Sequence, residues 1–214
     1  MTPREGQGDL LGVAYPAGLA VLPGFVLGQA AELVALIGDI AGQAPFRHMV
    51  TPGGHAMSAA MTNCGQGWVT DRKGYRYAAE DPLSGKVWPA MPELFFDVAR
   101  RAAEVAGFEN FVPDGCLINR YAPGAKMGLH QDTDEGDLTA PIVSVSLGLE
   151  ATFLFGGLRR TDPTQKIVVR HGDVVVWGGP ARLAFHGVAA LKPGVHPAAD
   201  DVRYNLTLRK ARLK

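Results

Sequence analysis

The stretch 203–209, RYNLTLR, decides the fold. Read with a period of two, it puts Arg203, Asn205, Thr207 and Arg209 on one side and Tyr204, Leu206 and Leu208 on the other. That is a strand with one apolar face for a core and one polar face. Two arginines flanking an asparagine on an inward-looking face are costly unless they meet an anion. A guanidinium offers a two-pronged fork for a carboxylate. A solvated strand face with spaced charges is the plainer alternative. The stretch 117–121, LINRY, has a similar face, on which Leu117, Asn119 and Tyr121 point one way and offer an amide and a phenol.

The same period recurs along the second half of the chain. CLINRY (116–121), IVSVSLG (142–148), TFLFGG (152–157), KIVVR (166–170), VVVW (174–177) and RLAFHGV (182–188) read as short strands divided by turn residues. Many short strands with Gly, Pro and Asp turns predict a sandwich or jelly roll. Two segments carry the helical period instead. In 27–41 the apolar face is Leu27, Ala30, Leu33, Val34, Ile37 and Ala41; in 92–106 it is Leu94, Phe95, Val98, Ala102 and Val105, with Pro92 in the first turn and Gly107 as the stop. Residues 45–90 are rich in Gly, Pro, Met and aromatic side chains, which suits hairpins, loops and a surface lid.

Composition excludes several classes. With 214 residues the chain can bury one sizeable core, and 47% apolar with 20% charged residues is ordinary globular composition. No apolar run approaches the roughly 18–20 residues that span a bilayer, and the opening MTPREGQGDLLGVAYPAG lacks the pattern of a signal peptide. The expectation is a cytoplasmic protein with no membrane partner. Cys64 and Cys116 are too few for a disulfide framework and are read as reduced. Lys plus Arg equals Asp plus Glu, 21 each, which argues against a grip on a long phosphate backbone. Local basic clusters remain at Arg159–Arg160 and at the C-terminus.

The stretch 128–135, GLHQDTDE, raises the question of a metal. If it is extended, His130 and Asp132 face one point and Gln131 faces away. One imidazole and one carboxylate are two members of the 2-His-1-carboxylate triad that holds non-haem Fe(II). Chance alone supplies roughly 0.36 H-x-D pairs at these frequencies, and the chain has two, so spacing alone is weak. The second pair, His171 and Asp173, encloses a glycine between β-branched runs and reads as a hairpin turn. His186, in an apolar strand pattern, is the candidate third ligand, with a satisfied core histidine as the plain alternative. A metal grip beside two arginines, two asparagines and a tyrosine suits a dicarboxylate that also chelates iron, and 2-oxoglutarate is such a molecule. Glu135 and Asp137 read as solvated acids.

TPGG, AMTNCG, WPAMP, LINRYAPGAK, LHQD, APIVSVSLGL, FGGL, HGDVVVWGG and RYNLT together resemble the AlkB family of Fe(II)- and 2-oxoglutarate-dependent nucleic-acid dealkylases, in order over about residues 20–210. The resemblance implies a mainly β fold with flanking helices, a double-stranded β-helix or jelly roll. It implies one catalytic domain over 1–214, with an N-terminal helix and nucleotide-recognition lid over about 1–90 and the dioxygenase core over about 91–214. It implies His130, Asp132 and His186 as iron ligands, Arg203 on the distal carboxylate of 2-oxoglutarate, and Arg209 at its chelating end with Asn119, Tyr121 and Asn205. The cofactors implied are Fe(II), 2-oxoglutarate and O2.

On the substrate side, Trp68 resembles the family's stacking tryptophan, with His130 on the other face of the base. Asp134 resembles the acid that reads an exocyclic amino group. Thr51, Met61, Tyr75 and Arg160 resemble lid and backbone contacts. The implied partner is alkylated single-stranded DNA, with duplex DNA and RNA beside it, bound by a monomer. Gly128 stands where the family commonly has serine, a change expected to be neutral. A 2-oxoglutarate oxygenase for a protein or small molecule is the competing enzyme reading. A jelly-roll sensor without turnover is the non-enzyme reading.

Overall fold

A computed structural model describes residues 15–212. The opening segment, read above as lacking a signal peptide, lies mostly outside the described residues, as do the last two residues of the basic C-terminus. The strands are β1 (Leu19–Leu22), β2 (Ala60–Gly65), β3 (Gly67–Asp71), β4 (Gly74–Ala78), β5 (Gly115–Tyr121), β6 (Met127–His130), β7 (Ile142–Gly148), β8 (Ala151–Phe155), β9 (Gln165–Val169), β10 (Val174–Trp177), β11 (His186–Val188) and β12 (Arg203–Arg209). Two helices accompany them, α1 (Ala30–Gln43) and α2 (Glu93–Val105). All strand pairs are antiparallel. The large sheet runs β1-β10-β7-β12-β5-β2, the small one β6-β11-β8-β9, and β3-β4 stands apart as a hairpin. The two sheets form the expected jelly roll.

Strand β12 is central, paired with β5 on one side and β7 on the other, so its backbone is satisfied along its length. Its two faces part as the period predicts. Leu206 and Leu208 are buried with Leu33 and Ile37 of α1 and Phe95, Val98 and Ala102 of α2, against the outer face of the large sheet. A second core lies between the sheets, where Tyr121, Phe153, Phe155, Val175 and Trp177 meet. Arg203, Asn205, Thr207 and Arg209 are buried on that side, among polar partners.

The helix boundaries follow local chemistry. Pro92 caps α2 with extended backbone (φ −61°, ψ 146°). Gly107 at φ +86° ends it, and the Phe108 amide returns to the Ala103 carbonyl at 2.8 Å. The helix expected from Leu27 begins as a 3-10 turn, Leu27–Gln29, and continues as α1 to Gln43.

One local expectation is corrected. RLAFHGV is a strand only over His186–Val188. Pro180 fixes a 3-10 turn at Gly179–Ala181, which continues through bonds from Arg182 to Gly179 and from Ala184 to Ala181. Arg182 is thereby buried rather than placed on a strand face. β1 lacked a strand signal, yet it pairs with β10. Within residues 45–90, β2 joins the large sheet through β5, while β3-β4 stands off it as a separate hairpin. Among the described residues no helix is long and apolar enough to cross a membrane.

The β3-β4 hairpin is seated by one close approach. Gly67 lies against the buried Trp88 indole, and a Cβ at Gly67 would overlap the ring nitrogen. Gly67→Ala should therefore destabilise the protein by about 1–3 kcal/mol in urea denaturation. Gly38→Ala, on the exposed face of α1 with open space around it, should stabilise by about 0.5–1 kcal/mol.

Candidate active site

β6 and β11 are neighbours, and their register sets His130 opposite His186. Each ring donates Nδ1–H to a carbonyl two residues back, His130 to Gly128 at 2.9 Å and His186 to Ala184 at 3.0 Å. This fixes the tautomer and leaves Nε2 of both rings as the free lone pair. Asp132 faces both, with Oδ1 3.7 Å from His130 Nε2 and Oδ2 3.6 Å from His186 Nε2. One ligand atom from each of the three lies within 4.8 Å of the others. Burial, then His130, holds His186 down at about 4, so it is neutral at pH 7. Burial alone would raise Asp132, but Arg209, His186, His130 and Arg182 outweigh it and hold the carboxyl down at about 2. One anion and an unprotonated His186 converging with His130 form a donor set for a divalent cation with open positions.

The second pair does what a turn does. Gly172 has φ +87°, and Asp173 accepts the amides of Gly24 at 2.8 Å and Arg170 at 2.7 Å. His171 accepts the Gly148 amide at 3.0 Å and stacks on His196, 4.4 Å between centroids.

Beside the triad lies a cavity of about 580 Å³ between the sheets, lined by every site residue named from the sequence. Arg203 is 2% exposed. Its Nη2 donates to Ser146 Oγ at 3.0 Å, while Nε and Nη1 have no hydrogen-bond partner. Among the described residues it makes no ion pair, and the Tyr121 ring lies 5.2 Å from its guanidinium carbon. Burial lowers its proton affinity. A buried, uncompensated guanidinium aimed into a cavity calls for an anion. Asn119 Oδ1 is likewise buried without a partner. Asn205 is committed to Ser144 Oγ and the Val145 carbonyl, at 2.8 and 3.0 Å. Burial raises Tyr121 and keeps it a neutral phenol. The donor set therefore fits a carboxylate-bearing chelator next to a metal.

Arg209 lines the same cavity and also contacts the acids around the triad. It reaches Asp132 Oδ2 at 2.8 Å and lies 3.6 Å from Glu135 Oε1. Glu135 itself corrects the reading as a solvated acid: it is 6% exposed and accepts from Tyr77 Oη at 2.8 Å and Arg182 Nη2 at 3.1 Å. Asp137 is half-buried and accepts the Thr139 amide at 2.9 Å in a turn. The missed signal was Arg182, a cation opening an apolar run, which needs a carboxylate partner when buried.

At the cavity mouth, Trp68 of β3 stacks on Tyr75 of β4, 5.7 Å between centroids at 20°. Trp68 Nε1 donates to Asp134 Oδ2 at 2.9 Å, tying the hairpin to the segment after β6. Asn63, in the sequence's TNCG, holds the Trp68 amide and carbonyl, both at 3.0 Å, a role the sequence reading missed. Met61 is fully buried on β2. Arg160 lies over the Phe185 ring at 5.2 Å, and Thr51 Oγ1 accepts the His55 amide at 3.2 Å. A Cβ at Gly128 would meet nothing within 4 Å, so a serine fits there.

Residues 18–209 match the 2OG-Fe(II) oxygenase superfamily. The chain is 59% identical over 196 residues, 91% of each chain, to the α-ketoglutarate-dependent dioxygenase AlkB of Escherichia coli strain K12. The chain belongs to the AlkB family. A more distant relative, the DNA N(6)-methyladenine demethylase ALKBH1C of Arabidopsis thaliana, is 30% identical over 172 residues, covering 68% of this chain and 37% of its own length. The solved structure of OsALKBH1 superposes with a TM-score of 0.82 at 28% identity, covering 92% of this chain and 99% of its own. This AlkB-family chain is thus an Fe(II)- and 2-oxoglutarate-dependent dioxygenase that uses O2.

The low proton affinity of His186 makes stability depend on pH. The unfolded imidazole takes a proton near 6.5 and the folded one only near 4. The unfolded state binds more protons between these values, so metal-free protein should lose stability as pH falls from about 6.5 to about 4. Calorimetric melting across that window should show the fall, and His186→Gln should flatten it.

Proposed function

We propose that this dioxygenase demethylates N-alkylated bases, 1-methyladenine and 3-methylcytosine, in single-stranded DNA, reversing the damage directly and releasing formaldehyde, succinate and CO2. RNA and duplex DNA are further substrates, and the working form is a cytoplasmic monomer. The observation that carries the base as substrate is the cavity mouth, where a stacked Trp68–Tyr75 pair is hydrogen-bonded to the exposed Asp134. The relative named as a DNA demethylase supports the same class.

In this reading His130, Asp132 and His186 hold the metal. Arg203 takes the distal carboxylate of 2-oxoglutarate, and Arg209, Asn119, Tyr121 and Asn205 surround the chelating end. Iron with 2-oxoglutarate and O2 supplies the oxidising power that hydroxylates the N-methyl group. The rest is the chain's own work. The damaged base must leave its stack to enter, which costs least in a single strand. Trp68 and Tyr75 offer it an aromatic platform, with His130 beyond. Asp134 accepts from an exocyclic amino group, which adenine and cytosine have and thymine lacks. Met61 packs at the base, and Thr51 and Arg160 lie at the rim towards the backbone. The zero net charge fits a footprint of few phosphates. Closed around the base, the cavity excludes water, and the N-hydroxymethyl product then expels formaldehyde.

The test is formaldehyde and succinate release with Fe(II), 2-oxoglutarate and an oligomer carrying one methylated base. His130→Ala should abolish both products. Trp68→Ala should remove about 1–3 kcal/mol of stacking, read as a raised KM for the oligomer with 2-oxoglutarate affinity unchanged. Succinate without formaldehyde from the wild-type chain would overturn the base as substrate and favour a protein or small molecule.

A further inference from the structure

Arg182 lies in the turn before β11, outside the metal ligands and the 2-oxoglutarate contacts. Its side chain is 4% exposed, and all three guanidinium nitrogens are engaged. Nη1 donates to the main-chain carbonyl of Asp132 at 2.8 Å. Nε donates to the Ala140 carbonyl at 2.9 Å, just ahead of β7. Nη2 reaches Glu135 Oε2 at 3.1 Å. The other oxygen of Glu135 accepts the Tyr77 hydroxyl from hairpin strand β4 at 2.8 Å. One side chain thus grips the backbone of a metal-binding residue and, through one carboxylate, the hairpin that carries Trp68 and Tyr75. A second tie runs alongside, from Gln131 Nε2 to the Leu183 carbonyl at 2.5 Å.

Surface ion pairs contribute little, but this cluster is dry. Arg182, Arg209, Asp132 and Glu135 are each under a tenth exposed, two cations against two anions. Removing one member of such a set leaves a partner buried and uncompensated. A carbonyl held by a charged donor also fixes the direction in which its own residue's side chain leaves the backbone.

We propose that Arg182 is a positioning residue for Asp132, and that through Glu135 and Tyr77 it sets the β3-β4 hairpin in the same frame as the metal site. The inference rests on the iron-site reading above. It assigns Glu135 to the link rather than to the solvent.

The test uses Co(II), whose visible absorption reports coordination without turnover. Arg182→Met should raise the Co(II) dissociation constant about 10–100-fold, the usual effect of losing a residue that orients a ligand, and change the absorption spectrum. Arg182→Lys keeps the charge but carries its donors on one atom, which cannot span the three acceptors, so it should fall between. If the methionine variant does not fold, the lysine variant and Glu135→Gln carry the test. Tyr77→Phe cuts only the link to the hairpin. It should leave Co(II) affinity intact and raise succinate formed per formaldehyde, because the hairpin no longer holds the base against the metal site. Variants that melt at lower temperature yet bind Co(II) with wild-type affinity and spectrum would reduce Arg182 to a scaffold and overturn the proposal. An unchanged succinate-to-formaldehyde ratio in Tyr77→Phe would overturn its hairpin half. A wild-type chain that binds Co(II) but releases no formaldehyde would sink the repair reading and leave the Arg182 test standing.

Discussion

Charge held in a dry space governs this molecule. Three arginines, 182, 203 and 209, are each at most 5% exposed, and two carboxylates, Asp132 and Glu135, are buried among them. A folded chain keeps such groups only where each finds an opposite charge or a full set of hydrogen bonds. Arg182 and Arg209 find theirs in Glu135 and Asp132. The backbone around them is arranged to make this possible. Two antiparallel sheets supply walls whose backbones pair strand to strand, and β12 runs centrally so that its alternate side chains enter the space between them.

The same constraint explains why the metal residues converge. Antiparallel β6 and β11 bring His130 opposite His186, and their Nδ1 bonds to local carbonyls turn both Nε2 atoms towards Asp132. Dry surroundings that hold His186 neutral also strengthen Arg209's hold on Asp132. Geometry and protonation state therefore come from one source, the exclusion of water between the sheets. The β3-β4 hairpin lies outside the sheets; Val69 packs into the core between them, and two polar handles, Trp68 to Asp134 and Tyr77 to Glu135, tie it to the segment after β6.

Much of this was legible in the sequence because strands have a period of exactly two residues per repeat of face. Parity in RYNLTLR and LINRY separated cavity from core without a structure, and the cavity is lined by the residues so chosen. What parity cannot report is chain that is not a strand. Arg182 sat in an apolar run whose proline-led turn breaks the alternation. Glu135 stood in an acidic loop where only a distant arginine and a tyrosine make it a buried group. β1 is short and carries its signal in the partner it pairs with, not in itself. The family resemblance supplied roles for Trp68 and Asp134, but not the bond between them or the Asn63 amide behind Trp68.

A count of charge links the metal to the co-substrate. With His186 neutral at pH 7, the buried arginines and carboxylates around the triad carry three positive charges and two negative ones. The excess resides on Arg203, the guanidinium of the three that has no ion-pair partner among the described residues. A divalent cation alone would raise that excess by two, and a dicarboxylate alone would reverse its sign. Both together leave it as it stands. In a low-dielectric interior each unbalanced charge is expensive. The metal's charge is therefore compensated when the dicarboxylate enters with it, and Arg203 sets where on the cavity wall the anion's far end must come to rest.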